Sequence, residues 1–376
     1  MSQKSSEFGV RSSESLNKSR GRRVLAALSG GVDSAVAAAL LVEAGYEVIA
    51  ISMLLAGNAE GHDGGCCSID DFQDARRVAE QLGIPYYVLN LKDAFRSQVI
   101  DVFTTEYLHG RTPNPCLLCN RDLKFDLLWQ RARELDAHFV ATGHYARVAY
   151  DEPSGRYQLL RGTDQRKDQS YFLFTLSQAQ LSRTLFPVGH LTKNEVREKA
   201  RAWGLKVAEK PESQDICFVP DGDYARFIEQ RLSAEQVKAG EIVDQDGRIL
   251  GAHEGIHRFT VGQRRGLGLG GFPEPRYVTQ IDAQNGRVTV GRREQLVARG
   301  LLVKSVNWLD GKAQEREVTV KIRYRHPAIP ARVEPQSEGR AEVWFHTSSP
   351  AVTPGQAAVF YDNERVVGGG WIEKPL

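Results

Sequence analysis

The sequence predicts an α/β N-terminal domain built on a doubly wound, Rossmann-like parallel sheet, followed by a small β-rich central domain and a C-terminal β barrel. Three observations carry this. Short apolar runs alternate with helix-patterned segments from Val24 to Thr142, and repeated βα units form parallel sheets with ligands at the carboxyl ends of the strands. A Ser-Gly-Gly turn joins the first apolar run to an alanine-rich segment of helical character. From about Pro220 the pattern becomes strand and turn. A chain of 376 residues fits two or three domains of roughly 150 residues, and the expected divisions are a tail 1–22, an α/β domain with helical extension 23–219, a central domain 220–298 and a barrel 299–376.

Taken in order, Val24 to Leu28 is the first strand and Ser34 to Ala44 the first helix, stopped by Gly45. Tyr46 to Ser52 is a second strand. Ser68 caps a helix whose Phe72, Ala75, Val78, Ala79 and Leu82 recur at helical spacing, and Gly83 and Pro85 end it. Tyr86 to Leu91 is a third strand, followed by a helix near Ala94 to Leu108, a loop with two cysteines, and a helix reaching about Glu134. His138 to Thr142 completes the alternation. A hairpin then turns at Asp151 to Gly155, and of two helical segments the second opens on a capping box, Thr192 with Glu195, and stops at Gly204. Beyond Pro220, Tyr277 to Ile281 and Arg287 to Val290 form a hairpin about Asn285-Gly286, and Val318 to Tyr324, Ala341 to Phe345, Ala357 to Tyr361 and Arg365 to Trp371 are further strands.

Composition limits the function classes. No run approaches the ~18 apolar residues of a membrane span, so neither bilayer insertion nor secretion is expected. A net charge of only +2 means that any polyanion must be held by a local basic surface. Five cysteines with no signal-peptide pattern fit a reducing, cytoplasmic compartment in which thiols serve metals or catalysis. The first 23 residues, rich in Ser and Arg, have almost nothing to bury and read as a disordered tail.

Ser29-Gly30-Gly31-Val32-Asp33-Ser34 follows a strand and opens a helix, so its amides and the helix's positive end form an anion seat for phosphate. It lacks the Lys of the G-x-x-x-x-G-K-[ST] pattern and is not G-x-G-x-x-G. Hydroxyls at Ser29 and Ser34, with Asp33 as a candidate magnesium partner, suit a pyrophosphate that leaves in one piece. SGGVDS in this setting resembles the PP-loop ATP pyrophosphatases, which cleave ATP to AMP and pyrophosphate and so turn a substrate oxygen into a leaving group.

RTPNPCLLCNRDLKF, residues 111–125, places Cys116 and Cys119 ahead of a helix, and Cys217 lies far downstream in SQDICF. With GRTPNPCLLCN, TGHYARV, KDQSYFL, GQRRGLGLGG, KIRYRHP and VTPGQAAVFYD, the chain resembles the tRNA-specific 2-thiouridylases from about Arg23 to its end. The resemblance implies ATP-dependent replacement of the C2 oxygen of a tRNA wobble uridine by sulfur, with ATP and Mg2+ as cofactors. It assigns ATP binding to Ala27, Leu28, Ser29, Gly30, Gly31, Val32, Asp33, Ser34, Met53 and Gly143. Contacts to tRNA fall on Asn114, Pro115, Cys116, His144, Lys167, Asp168, Gln169, Arg323, Tyr324 and Gln356, and basic residues recur at Arg264-Arg265, Arg292-Arg293 and Lys321 to Arg325. Cys119 is implied as the nucleophile. Cys217 would receive sulfane sulfur as a persulfide from a donor protein, and the pair would close a transient disulfide; inorganic sulfide is the donor where a cluster carries it as hydrosulfide.

The best-known form of the family carries aspartate where this chain has Cys116, and no carboxylate lies between Arg111 and Arg121. Three arrangements stay open: a persulfide relay, a [4Fe–4S] cluster on Cys116, Cys119 and Cys217 whose open iron carries hydrosulfide, and a zinc clip completed by Cys66, Cys67 or a histidine. Two further functions are weighed: a PP-loop ligase or amidotransferase for a small molecule, and a non-enzymatic zinc-stabilised RNA-binding protein. Cys119 is expected at a helix N-terminus, where amide dipoles favour a thiolate.

Overall fold

A computed structural model describes residues 21–55, 68–211, 216–219, 221–233 and 235–376. The tail, the Cys66-Cys67 pair and Ser213 to Asp215 lie outside these. The chain divides into two compact units, Met1–Gln98 with Cys116–Pro220 and Glu364–Val366 in one, and Val99–Pro115, Asp221–Asn363 and Val367–Leu376 in the other.

The first unit is built on β1 (Arg23–Ala27), α1 (Val32–Glu43), β2 (Glu47–Leu54), α2 (Ile69–Leu82) and β3 (Tyr86–Asn90). α1 is apolar around its circumference, with Val32 and Ser34 through Leu41 all buried. A helix of that kind belongs inside, between sheet and neighbours, and not on a surface. α2 has a full capping box, Ser68 with Asp71, and ends at Gly83 with φ +66°. After β3 the chain runs through α3 (Lys92–Phe95), a π-helical turn Arg96–Ile100 and α4 (Asp101–Leu108).

The cysteine stretch is helical from Pro115. α5 (Pro115–Leu118) passes directly into a π-helical stretch, Cys119–Leu127, and on into α6 (Leu128–Glu134). This corrects the expected position of Cys119. Pro115 occupies the first helical position, where a missing N–H costs nothing, so Cys116 stands in the opening turn and Cys119 one turn further in.

β4 (Phe139–Ala141) lies beside β1, and the hairpin β5 (Ala146–Asp151) and β6 (Arg156–Arg161) turns at Gly155, φ +66°. Short helical turns at Ser170–Leu173 and α7 (Gln178–Leu181) lead to β7 (Thr184–Leu185), then to α8 (Lys193–Ala202) behind its Thr192–Glu195 capping box. The sheet order is β3-β2-β1-β4-β7 and every pairing is parallel. The strand order reverses at β1 and β4, so a ligand crevice is expected above their carboxyl ends.

The second unit holds α9 (Tyr224–Glu229) and a four-stranded sheet of β8 (Gly240–Val243), β9 (Ile249–His253), β10 (Tyr277–Asp282) and β11 (Arg287–Gly291), in the order β10-β11-β8-β9. The expected hairpin turn is present at Gly286, φ +63°. Six longer strands follow: β12 (Val297–Trp308), β13 (Arg316–Lys321), β14 (Ile329–Pro335), β15 (Ala341–Pro350), β16 (Ala357–Asp362) and β17 (Arg365–Pro375). They run β12-β15-β14-β13-β16-β17, and β12 pairs again with β17 to close the barrel. Closure removes the free edges, and Leu301, Val303, Val320, Val333, Val343 and Phe360 fill the interior. The strands β12 and β14 are additions to those expected from the sequence.

Candidate functional site

The glycine loop lies between β1 and α1 at the strand-order reversal. Leu28 N–H donates to Ile51 O at 2.8 Å and Ser52 Oγ donates to Leu28 O at 2.6 Å, so the end of β1 is fixed to β2. Ser34 Oγ accepts from Ser29 N–H at 3.1 Å, lies 3.2 Å from Ser29 Oγ and donates to Gly31 O at 3.0 Å. Gly31 is the N-cap of α1 and no side chain caps the helix, so its first amides remain for an anion. Gly30 has φ +73°, and a Cβ there would strike the carbonyl of Asp71. Gly143 follows β4, and a Cβ on it would lie 2.7 Å from Ser34 N and 2.8 Å from Asp33 C. Both glycines are thus required by close backbone approach. Ala27 and Met53 are half-buried at the ends of β1 and β2, while Leu28 and Val32 are buried.

Asp33 is anchored on both oxygens. Lys193 Nζ donates to Oδ1 at 2.7 Å and to Oδ2 at 2.9 Å, and Tyr145 Oη donates to Oδ1 at 2.7 Å. Lys193 is the first residue of α8 and only 8% exposed. Sequence reasoning missed it: it lies 160 residues from Asp33, and its one local mark is its place inside the capping box.

Cys116, Cys119 and Cys217 occupy three environments, exposed, buried and intermediate, and none of the three is in a disulfide. Cys116 is reachable by solvent, yet the protein mass around it desolvates the thiol and raises its pKa, partly opposed by the Lys124 ammonium. Cys119 is buried at the start of the π-helical stretch. Cys217 is half-buried. Its neighbour Phe218 meets Phe95 edge-on at 5.6 Å, and the helix that ends at Phe95 packs on the stretch that Cys119 opens. The nearest carboxylates along that helix are engaged, Asp122 with the Arg121 guanidinium at 2.6 and 2.9 Å, and Asp126 with Gln180 Nε2 at 2.6 Å. Burial, with the Asp122 charge, raises the Asp126 carboxyl above its usual range.

A cluster or zinc site needs converging ligands. Among the described residues no three His, Cys, Asp or Glu side chains form a group able to hold a metal ion, so Cys116, Cys119 and Cys217 as placed do not fit a cluster, and no step is routed through one.

The remaining predicted residues divide by environment. His144 is buried, its Nδ1 is 2.7 Å from Thr142 Oγ1, and its ring packs near Phe125 and Phe186. Desolvation, with Lys124 nearby, holds its pKa well below the ordinary imidazole value. Asp168 is buried, accepts from the amides of Gly162 and Ser170, and lies 3.6 Å from Arg161. Gln169 Oε1 accepts from Tyr145 N–H at 3.0 Å, so it braces the residue that holds Asp33. Lys167 is half-buried.

Within the second unit, Gln356 Nε2 donates to Thr112 O at 2.8 Å and Thr112 N–H donates to Pro354 O at 2.9 Å. These bonds fix the segment that leads through Asn114 and Pro115 toward Cys116. Arg323 donates to Ala351 O at 2.9 Å, to Val261 O at 3.4 Å and to Thr353 Oγ1. Tyr324 is half-buried, with Lys321 Nζ 5.6 Å from its ring centre.

Comparison with known proteins gives one consistent result. Residues 22–221 match the family profile described as a tRNA methyl transferase HUP domain, residues 225–292 its PRC-barrel domain, and residues 298–372 an aminomethyltransferase beta-barrel domain. The chain is 55% identical over 360 residues to a protein of Geotalea uraniireducens named tRNA-specific 2-thiouridylase MnmA, covering 94% of this chain and 95% of that one. Proteins of the same name from Geobacter metallireducens and Solibacter usitatus are 54% and 52% identical, with 94% and 93% of this chain and 98% and 99% of theirs covered.

Proposed function

Because the chain belongs to the tRNA-specific 2-thiouridylase family, we propose that it is a tRNA sulfurtransferase that uses ATP to exchange the C2 oxygen of a wobble uridine for sulfur. The observation that carries this reading is the glycine loop, closed down on Gly143 at the crevice where strand order reverses, in the same unit as Cys119 and Cys217. A uracil C2 carbonyl is a poor electrophile. In the proposed first half, its oxygen bonds to the α-phosphorus of ATP, pyrophosphate leaves with the electron pair of the broken P–O bond, and the N3 proton passes to solvent. The amides at the start of α1, with Ser29 and Ser34, hold the phosphates. Asp33 would hold the magnesium ion that accompanies ATP, which would supply positive charge against the phosphates.

In the second half, the terminal sulfur of a Cys217 persulfide attacks C2 and AMP leaves. Cys119 as thiolate then attacks Cys217 Sγ, the S–S bond to the transferred sulfur breaks, and 2-thiouridine departs. A Cys119–Cys217 disulfide remains for a cellular dithiol to reduce. The relay is favoured over a cluster because the three thiols do not gather as metal ligands. Cys116, a thiol with a raised pKa, stays protonated at neutral pH and stands as the proton donor at N3. Asn114 and Pro115, next to it in the chain, are proposed to contact the tRNA. His144, Lys167, Asp168 and Gln169 of the first unit, and separately Arg323, Tyr324 and Gln356 of the second, are the residues proposed to touch or position tRNA.

The test is ATP-dependent thiolation of a tRNA transcript by protein purified without oxygen, with a persulfide carrier or sulfide as donor. Iron-free protein should be fully active with the persulfide donor, and Cys119→Ser and Cys217→Ser should each abolish product. Cys116→Asp should retain or raise activity. Stoichiometric iron and acid-labile sulfide, with loss of activity in Cys116→Asp, would replace the relay by the cluster.

A further inference from the structure

The loop SGGVDS has no lysine of its own, although phosphate loops that release a polyphosphate need a cation against the departing charge. The fold brings one in. α8 starts with Lys193, whose side chain is 11% exposed, and its Nζ lies 2.7 and 2.9 Å from the two oxygens of Asp33, in the first turn of α1. This position is held from several sides. The backbone N–H of Lys193 donates to Asp164 Oδ2 at 3.0 Å, Thr192 caps the helix, and Tyr145 Oη fixes Asp33 Oδ1 from the other side. A buried lysine fixed this firmly beside an anion seat is more than surface charge, because its ammonium is already desolvated and aimed before any ligand arrives.

We propose that Lys193 is the cation that receives the departing pyrophosphate, with Asp33 as the carboxylate that holds it in readiness and releases it when phosphate fills the loop. The inference rests on the adenylation half of the proposed function. As the α-phosphorus bonds to the uridine oxygen and its bond to the bridging oxygen breaks, negative charge grows on the β-phosphate. Rotation of a lysine stem moves its ammonium by several ångströms, enough to exchange one anionic partner for another at the same helix end. The ammonium therefore stabilises the transition state for pyrophosphate departure more than it stabilises bound AMP.

The experiment compares inorganic pyrophosphate and AMP as inhibitors of ATP-dependent tRNA thiolation by the full chain, wild type against Lys193→Met and Lys193→Arg. Expected is a loss of pyrophosphate affinity of about tenfold to a hundredfold in Lys193→Met, as for one charge-assisted bond, with AMP affinity unchanged and Lys193→Arg retaining most of the preference. Equal weakening of both inhibitors, or of neither, overturns the proposal and leaves Lys193 a structural partner of Asp33. If Lys193→Met does not fold, Asp33→Asn read by direct calorimetry of pyrophosphate binding without metal ions decides instead. Released from its carboxylate, Lys193 should bind pyrophosphate more tightly, and unchanged or weaker binding overturns the proposal. Wild-type protein that binds pyrophosphate but thiolates no tRNA would sink the functional reading alone.

Discussion

Gly143 shows how one missing atom joins two distant parts of the chain. A methyl group there would sit 2.7 Å from Ser34 N and 2.8 Å from Asp33 C, and both are backbone atoms that no side-chain rotation can move aside. Gly143→Ala should therefore push the loop off the end of β4, costing about 1–3 kcal/mol of stability and raising the KM for ATP at least about tenfold. Thermal unfolding and ATP-dependent kinetics check this; an unchanged KM would mean that the loop does not hold the nucleotide. His144, two residues past Thr142, makes a prediction about pH. Its folded pKa is depressed because the ring is buried, so the folded state resists a proton that the unfolded state accepts at about 6.5. Stability is then complete above about pH 6.5 and declines as pH falls below it, by up to about 1.4 kcal/mol per pH unit. His190 and His253, both lowered by burial, act in the same direction. The drop in melting temperature from pH 7.5 to 5.5 should shrink in His144→Gln, and an identical drop would place the acid sensitivity elsewhere.

At the level of elements, the π-helical stretch Cys119–Leu127 sets the direction of Cys119, the proposed nucleophile. A π turn carries one residue more than an α turn and is often found at functional sites. Deleting a single residue from it, for instance Arg121, would restore the α-helical register and rotate Cys119 by roughly 100° relative to Leu128 and Trp129. Both of those are buried anchors. Because Leu117 and Leu118 are buried as well, the deletion should lower the melting temperature and also reduce thiolation by the folded protein at least about a hundredfold, as misplacement of a reacting group does; near-normal activity would show that the wide turn is incidental. This element also marks a limit of reading the sequence. Gly83, Gly155, Gly286 and the capping boxes at Ser68 and Thr192 are legible because each acts on its own few neighbours. The start of α5 has a local signal too, in Pro115, one residue ahead of the cysteine taken for a loop position. β14 begins Ile329-Pro330 and ends at Pro335, residues that argue against a strand, and the closed barrel overrides them. The Lys193–Asp33–Tyr145 cluster depends on contacts across 160 and 112 residues, which no local pattern encodes.

Across the whole molecule, a net charge of +2 provides little general attraction for a polyanion, so affinity for tRNA must come from a few placed cations. The basic runs in the second unit differ in how available those cations are. Arg323 is committed to carbonyls, Arg292 pairs with Glu274 at 3.1 Å, and Arg316 pairs with Asp310 at 2.5 Å. Arg264 and Arg265 are exposed, and neither forms an ion pair among the described residues. They stand in a turn braced by Gln263, whose Oε1 accepts from Thr260 N–H and whose Nε2 donates to Arg265 O. A turn stiffened from within that presents two uncommitted guanidinium groups suits the binding of phosphates, which gives affinity without reading sequence. The double substitution Arg264→Ala with Arg265→Ala should weaken tRNA binding equally for all substrate tRNAs. It should also lower the log–log salt slope by about 2, one for each phosphate no longer neutralised, while kcat at saturating tRNA is unchanged. Filter binding from low to moderate salt measures the slope, and one equal to that of the wild type would move the phosphate-binding surface to other residues of this chain.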